Sequence, residues 1–268
     1  MKKRIPEILA VILLLIMSAS PVKADVGPKP SVEITFVNAP DEPYYAVLLS
    51  DQETYGPWSA GNAGSSIDER DVAAFFEEYK DKDGFYYIGN AVKVTDNTYR
   101  WTYYPPQRFK ILVYFPESGK VLVTDVQERY AFDSFYTCDL DTGVVAEKPD
   151  FSKNLIGFGI RVILTILIEL LIGLLFGFRS AGSRKVIIIT NLITQILLNA
   201  VMGILNYSSG LLVWLIFFPL MELIVILIES IVYGFALKEQ KAGRRIFYAI
   251  IANLVSAILG FFTGILIG

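Results

Sequence analysis

Long apolar segments separated by short polar connections occupy the second half of the chain. Each segment is long enough to cross a bilayer, because about 20 residues of helix span the ~30 Å hydrocarbon core. The four segments cover residues 154–178, 186–206, 211–237 and 246–267. This pattern predicts an all-α transmembrane bundle of four helices over residues 154–268.

The first half of the chain has shorter apolar runs. They are rich in β-branched and aromatic residues and are bounded by Pro, Gly, Asp and Asn, which is typical of strands and turns. The predicted strands cover residues 31–39, 44–50, 85–94, 98–104, 109–115, 120–124 and 134–138. Helical spacing of apolar residues predicts one helix over 68–81, with Asp68 as its N-cap. Residues 25–150 are therefore expected to form an α+β domain, mostly antiparallel β plus one helix.

The first 24 residues have the three parts of a secretory signal peptide. Basic residues at 2–4 are followed by an apolar core and by a small-x-small cleavage site at 22–24. The core has about ten residues, fewer than the roughly 20 that a span needs. An uncleaved first membrane helix is the alternative. We expect residues 1–24 to be a signal peptide, so that residues 25–150 are extracytoplasmic.

Positive charge in the connections predicts the orientation of the spans. The connection at 206–210 is uncharged, whereas the other two are basic. The basic residues are Arg179, Arg184, Lys185, Lys238, Lys241, Arg244 and Arg245. Loops rich in Lys and Arg stay in the cytoplasm, which agrees with an exported first domain. The sequence predicts a multi-pass protein of the cell (plasma) membrane.

The net charge of −3 is divided unevenly along the chain. Residues 25–150 carry a net charge of −11, and residues 151–268 carry a net charge of +5. An acidic exported domain argues against nucleic-acid binding, which needs a basic surface. The partners that we expect are the lipid bilayer and, as an open alternative, another membrane protein or a second copy of the chain.

Cysteine and histidine usage excludes several kinds of chemistry. Cys138 is the single cysteine, so no intramolecular disulfide can form. The chain has no histidine, which excludes Ser–His and Cys–His catalysis and His-based zinc sites. We therefore predict no enzyme activity, no catalytic residue, no metal and no cofactor.

A local sequence recurs in the apolar half. The segment ILIE occurs at 166–169 and again at 226–229. Asn191 and Asn253 then occupy matching positions in the second and fourth spans. We interpret the bundle as a tandem repeat of two helical hairpins. Chance similarity between two apolar segments is the alternative.

Polar residues inside the predicted spans form a candidate intramembrane cluster. A polar side chain that faces lipid is costly, so these residues are expected to face the bundle interior and to bond to each other. One layer is predicted to contain Glu169, Asn191, Gln195, Glu229 and Asn253, and a second layer Arg161, Asn199 and Glu222. Three roles stay open: hydrogen bonding between helices, docking of a membrane partner, and passage of protons or cations.

Aromatic residues are dense in the exported half. Trp58, Trp101, Tyr103 and Tyr104 are candidates for a surface that stacks on a glycan or a peptide. The alternative is an ordinary β core with cross-strand aromatic pairs. The double Tyr followed by a double Pro at 103–106 breaks the strand alternation, which favours an exposed edge there.

Several segments together resemble a known family. They are GPKPSVEITF at 27–36, YYAVLLS at 44–50, WTYYPPQRFKILVYFPE at 101–117 and ERYAFDSFYT at 128–137. With the polar pattern of the spans, they are similar to an uncharacterised family of exported-domain, four-span membrane proteins of anaerobic Gram-positive bacteria. The resemblance implies this architecture and a bacterial cell surface. It implies no activity and no catalytic residue.

Two hypotheses of function follow from these patterns. In the first, the exported domain binds or senses a ligand or partner at the cell surface, and the membrane bundle is its anchor and docking site. In the second, the chain is a small transporter or channel component that uses the intramembrane glutamates for proton or cation passage.

Overall fold

The computed structural model describes residues 27–62, 67–148 and 151–267. A β-rich domain comes first and long apolar helices follow, as the sequence predicts. The predicted signal peptide lies outside the described residues and stays a prediction.

Twelve strands, one short 3₁₀ helix (Ala60–Asn62) and one α-helix form the described part of the β-rich domain. The longer strands are β1 (Ser31–Val37), β2 (Tyr45–Ser50), β7 (Thr98–Trp101), β8 (Arg108–Phe115), β9 (Lys120–Val123), β11 (Asp133–Asp139) and β12 (Val145–Glu147). The short ones are β3 (Thr54–Tyr55), β4 (Trp58–Ser59), β5 (Tyr86–Tyr87), β6 (Val92–Lys93) and β10 (Gln127–Glu128). Helix α1 covers Arg70–Glu78.

The strands form two main sheets and a small hairpin. One sheet has the order β12-β11-β1-β7, and the other has the order β10-β8-β2-β5, with β6 beside β2 and β9 beside β8. The pair β3–β4 forms the hairpin. All pairs are antiparallel except β1–β11, which is parallel from Ser31↔Asp133 to Val37↔Asp139. The mostly antiparallel prediction is confirmed, with one parallel pair that local patterning does not specify.

The core of the β-rich domain lies between the two sheets and under α1. Strand β1 alternates buried and half-buried residues, whereas β2 is buried at all six positions. Helix α1 covers the outer side of the second sheet, where the Phe75 ring stacks on Tyr114 of β8 at 3.8 Å. Phe109 of β8 meets Tyr136 of β11 edge to face at 5.5 Å and so joins the sheets. Burial on both faces explains why β2 is apolar from Tyr45 to Leu49.

Two local predictions in this domain need correction. The residue before α1 is Glu69 rather than Asp68, and it forms no capping bond. Its carboxylate instead accepts a hydrogen bond from the Tyr45 hydroxyl at 2.9 Å. The predicted strand 85–94 is divided into β5 and β6, because Gly89 and Asn90 have φ of 109° and 64°, which extended strands do not adopt.

Cys138 lies inside this core on β11. Its side chain is fully buried. Burial, with a smaller effect of the Asp139 charge, raises the pKa of the thiol to about 12. The thiol is therefore neutral and shielded in the folded domain.

The apolar half contains three long helices in the described residues, not the four that the sequence predicts. They are α2 (Phe151–Phe176), α3 (Ala181–Ala236) and α4 (Ala242–Ile267). All three are long and apolar enough to cross a membrane. The predicted second and third spans both lie in α3, because the connection at 206–210 stays helical up to Gly210.

Helix α3 folds back on itself at Gly210. The backbone leaves helical geometry there, with φ 77° and ψ 179°. The Thr194 hydroxyl lies 2.6 Å from the Glu229 carboxylate, although 35 residues of straight helix would separate the two by about 52 Å. We name residues 181–209 the first arm of α3 and residues 211–236 its second arm. Each arm packs beside the other.

The β-rich domain contacts the bend of α3 directly. The Phe132 amide donates to the Tyr207 carbonyl at 2.9 Å. A Cβ added at Gly210 would lie 2.5 Å from the Phe132 ring. Glycine is therefore required at this position for two reasons: the backbone has a positive φ, and the aromatic ring approaches closely.

Candidate functional site

Two Glu–Asn pairs form the centre of a polar cluster inside the helices. Asn191 Nδ2 donates to Glu169 Oε2 at 2.6 Å, and Asn253 Nδ2 donates to Glu229 Oε2 at 2.8 Å. Each Asn also donates to the carbonyl four residues earlier on its own helix. All four side chains are buried. The two pairs are equivalent under the sequence repeat, one joining α2 to the first arm and the other joining the second arm to α4.

Hydroxyl groups connect the two pairs. Thr194 of the first arm donates to Glu229 Oε1 at 2.6 Å. Tyr233 of the second arm donates to Glu169 Oε2 at 3.3 Å and accepts from Asn191 Nδ2 at 2.9 Å. The Glu–Asn bonds therefore lie within each hairpin, and hydroxyl groups join one hairpin to the other.

Sequence reasoning missed the three hydroxyl residues of this cluster. Tyr248 of α4 donates to the Glu169 carbonyl at 3.1 Å. Thr194 and Tyr233 follow Asn191 and Glu229 by three and four residues, and that spacing places each on the same helix face as its polar neighbour. Their helical spacing from the polar residues Asn191 and Glu229 could therefore have predicted Thr194 and Tyr233 as members of the cluster.

The cluster contains carboxylates but no cation among the described residues. The ion pairs of the described residues all lie in the β-rich domain. The donors to Glu169 and Glu229 are amide and hydroxyl groups, which are neutral. Among the described residues, three buried oxygen atoms of this cluster have no hydrogen-bond partner: Glu169 Oε1, Asn191 Oδ1 and Asn253 Oδ1.

The second predicted layer is only partly assembled. Arg161 Nε donates to Asn199 Oδ1 at 3.3 Å. Asn199 Nδ2 donates to the Gln195 backbone carbonyl at 2.8 Å and to the Gln195 side-chain Oε1 at 3.4 Å. The Gln195 side chain therefore contacts this group. Glu222 is buried, but in the described part of the chain it forms no ion pair with Arg161. A cavity beside Arg161 has a volume of about 10 Å³, which is near the minimum volume for one water molecule.

The aromatic candidates occupy two different environments. Trp101 is buried in the β core, so its faces are covered. Trp58 is half-buried and meets Trp101 edge to face at 5.3 Å. Both indole N–H groups donate to the Tyr103 carbonyl, at 2.7 and 2.8 Å. Tyr103 is 40% exposed and touches Tyr104 edge to face. A ligand could reach the tyrosines and the Trp58 edge, and their binding role stays a prediction.

A buried ion pair in the β-rich domain was not predicted. Lys110 of β8 donates to Asp81 at 2.9 Å and also to Asp83. Burial alone would raise the pKa of Asp81, but hydrogen bonds from Lys110, Asp83 N and Phe85 N lower it overall. Burial likewise opposes the charge on Lys110, and its bonds to Asp83 and Asp81 raise the pKa overall. The polar residue within the apolar run of β8 was the available signal.

Comparisons with protein families, with curated proteins and with solved structures find no match to this chain. No family is therefore identified. A β-rich domain followed by long apolar helices is present, and that is the coarse architecture implied by the sequence resemblance.

Proposed function

We propose that the chain is a multi-pass membrane protein whose exported β-rich domain binds a ligand or partner at the cell surface. The helices anchor the domain and hold it at a fixed position. The observation that carries the binding role is the aromatic edge at Tyr103, which is 40% exposed. The contact between Phe132 and the bend of α3, a backbone hydrogen bond beside a close glycine, supports the fixed position of the domain. In this proposal α2, the two arms of α3, and α4 each cross the bilayer.

The distribution of polar and apolar side chains supports membrane insertion. The outward-facing positions of the helices are apolar; Leu171, Leu175, Leu227 and Phe235 are 60%, 75%, 65% and 83% exposed. The Glu–Asn cluster lies inside. This is the arrangement that a hydrocarbon solvent requires, because polar groups must bond to each other when no water is present.

The connections between helices support the proposed orientation. Glu239 accepts hydrogen bonds from the backbone N–H groups of Arg179 and Ser180 at 3.2 and 2.8 Å. The two basic connections therefore meet at one end of the bundle. The bend and the β-rich domain contact each other at residues 132 and 207, away from these connections. Positive charge at one end and the domain at the other fit a cytoplasmic and an exported side.

The polar cluster supports an anchoring role for the helices. Its donors and carboxylates bond across all the helix contacts at the level of Glu169 and Glu229. Hydrogen bonds between membrane helices contribute about 0.6 kcal/mol each on average. Six such bonds join the helices of this cluster, and four of them connect one hairpin to the other. Together they would hold the two hairpins in one arrangement, which a fixed platform for the exported domain needs.

The exposed tyrosine at 103 provides a test of the binding role. The full chain would be titrated with soluble peptidoglycan fragments as the glycan probe and, separately, with an array of extended peptides. Tyr103→Ala is expected to weaken binding about fivefold or more, because one aromatic contact is worth roughly 1 kcal/mol. Tyr86→Ala is the matched control, because Tyr86 on strand β5 is 41% exposed and lies outside the aromatic group at Tyr103. Equal binding by both variants, or no binding by the wild type to either probe, would contradict the proposal.

Transport is the second candidate function, favoured by one observation. The unpartnered oxygens of Glu169, Asn191 and Asn253 lie in the bonded cluster, and oxygen atoms of this kind suit a proton or a monovalent cation. Proteoliposomes with a pH-sensitive or sodium-sensitive dye would measure flux. Flux that Glu169→Gln and Glu229→Gln abolish, and that Glu239→Gln leaves intact, would support transport over anchoring.

A further inference from the structure

A cleft of about 400 Å³ lies where the β-rich domain meets the bend of α3. Its domain side includes Gln107, Arg129, Tyr130 and Phe132, and its helix side includes Tyr207 and Ser208. The cleft is therefore built by both halves of the chain. Neither the anchoring role nor the aromatic surface at Tyr103 uses it.

In the proposed topology, the cleft lies at the level of the lipid headgroups. Tyr207 and Ser208 end the first arm, two to three residues before Gly210. Apolar side chains follow on both sides of the bend, with Ile204 and Leu211 67% and 57% exposed. The Tyr130 and Tyr207 rings lie 6.3 Å apart beside the cleft, and tyrosine is typical of the membrane–water interface.

Arg129 gives the cleft its charge. It is the one charged residue among the described residues that line the cleft. Its Nε is buried and has no hydrogen-bond partner, and its Nη2 makes one long bond of 3.4 Å to the Tyr55 hydroxyl. Guanidinium groups present N–H donors in a planar fork that suits two oxygens of one phosphate. An unpartnered donor is costly when buried, so an oxygen ligand at this place would stabilise the domain.

The backbone holds Arg129 in place without using its side chain. Its amide donates to the Gln107 carbonyl at 2.9 Å, and its carbonyl accepts from Gln107 Nε2 at 2.9 Å. The neighbouring Glu128 carboxylate pairs with Arg108 at 3.0 Å and does not neutralise Arg129. The backbone of Arg129 is thus fixed, and its guanidinium is a positive group in a domain of net negative charge.

We propose that this cleft binds the phosphate group of an anionic phospholipid of the outer leaflet, with Arg129 as the donor. A lipid is favoured over free phosphate because exposed apolar side chains of α3 continue from the cleft and can contact acyl chains. The inference rests on the membrane orientation given under the proposed function. It is independent of whether Tyr103 binds a ligand.

The test uses the full chain in detergent micelles and counts bound lipids by native mass spectrometry. The probes are phosphatidylglycerol, phosphatidylcholine and inorganic phosphate. We expect the wild type to bind phosphatidylglycerol more tightly than phosphatidylcholine. Arg129→Gln is expected to lose about tenfold or more of the phosphatidylglycerol affinity, the loss expected on removing hydrogen bonds to a charged group. Arg100→Gln, at an exposed arginine on β7, is the control and is expected to bind as the wild type does.

A second pair of variants tests the cleft without altering Arg129. Ser208→Glu places a negative charge on the helix side of the cleft, and Ser208→Gln places a neutral side chain of the same size there. We expect the Glu variant to bind phosphatidylglycerol more weakly than the Gln variant. Circular dichroism and melting curves without lipid verify that each variant is folded, so a folding defect in Arg129→Gln leaves the Ser208 pair as the test.

Two results would overturn the proposal. One is unchanged phosphatidylglycerol binding in Arg129→Gln together with equal binding by the two Ser208 variants. The other is inorganic phosphate that binds as tightly as the lipid and displaces it through Arg129, which would assign the cleft to a soluble anion. Peptidoglycan binding measured on the same samples separates either result from failure of the surface-binding role.

Discussion

The two halves of the molecule bury carboxylates in different ways. In the β-rich domain, Asp81 faces the ammonium group of Lys110 at 2.9 Å. In the helical bundle, Glu169 and Glu229 face only amide and hydroxyl donors within the described residues. The first is a charged pair and the second is a network of neutral donors.

The difference follows the solvent around each half. The Lys110 ion pair continues to Asp83, whose side chain is 55% exposed, so the charges reach water within one residue. The Glu–Asn cluster lies under apolar side chains that face lipid in the proposed arrangement. A cation there would carry a large desolvation cost, whereas amides and hydroxyls supply hydrogen bonds without a second charge. We therefore expect the two halves to respond differently to loss of a partner and to pH.

The largest expected effect is at Lys110. Lys110→Met leaves Asp81 buried without its cation, which costs about 3–5 kcal/mol of the free energy of unfolding. Urea unfolding would be followed by the fluorescence of Trp58 and Trp101, in a background where Trp214→Phe removes the signal of the bundle. Lys82→Met is the control at an exposed position of the same turn, with an expected change within about 0.5 kcal/mol. Equal losses in the two variants would show that the ion pair does not stabilise the domain.

A smaller effect is expected at Glu229. Glu229→Ala removes the acceptor of Thr194 and Asn253. Both donors keep a bond to the carbonyl four residues earlier on their own helix, so we expect a total loss of about 1–3 kcal/mol. Glu229→Gln keeps one acceptor oxygen, and its amide can donate to the Thr194 hydroxyl, so we expect a loss below about 1 kcal/mol. The measurement is thermal or denaturant unfolding of the full chain in detergent.

The Glu229→Gln variant tests whether the bundle differs from the β-rich domain in needing no charged partner for its carboxylates. If Glu229→Gln loses as much stability as Lys110→Met, the bundle also depends on a charged partner. A bound cation would then gain support, and with it the transport function.

The bend of α3 gives a third test, in which we expect a loss of about 1–3 kcal/mol in the free energy of unfolding. Gly210→Ala forces a residue with a Cβ into positive φ and brings that Cβ against the Phe132 ring. We expect a lower melting temperature and faster proteolysis between the domain and the helices. Adding Phe132→Ala should relieve the clash but not the backbone strain, so the double variant should recover part of the loss. Full recovery would show that φ at this position is unimportant.

The smallest expected effect is the pH dependence of the Asp81 pair. The pKa of Asp81 is lowered in the folded domain, so its stabilising contribution is present above the unfolded pKa of about 3.9. That contribution is lost as the pH falls through the folded pKa. The stability difference between the wild type and Lys110→Met should therefore shrink on acidification from about pH 5 to pH 2. A difference that stays constant would exclude Asp81 as its source.

The Glu–Asn pairs could be predicted because rare residues recur in register within apolar runs. Glu169 and Asn191 have counterparts 60 and 62 residues later, and polar groups in a bundle interior must find each other. Threonine and tyrosine give a weaker signal, since both occur in apolar helices for many reasons. Thr194 and Tyr233 were missed on that account, although they make the contacts between the hairpins.

Features that depend on distant parts of the chain were not predictable. The parallel pairing of β1 with β11 joins residues about 100 positions apart, for example Ser31 with Asp133. The contact of Phe132 with Gly210 joins two halves that sequence patterns describe separately. The predicted number of helices was wrong at this bend. The connection predicted there stays helical until Gly210 turns the backbone.

The buried thiol of Cys138 makes the wild-type chain its own reporter. It is the only cysteine in the sequence and it is fully covered by the β core, so a maleimide can reach it only when β11 separates from its neighbours. Labelling therefore counts opening events of the β-rich domain at one known position. The rate of labelling would measure how often the domain opens in the full chain, with no residue changed.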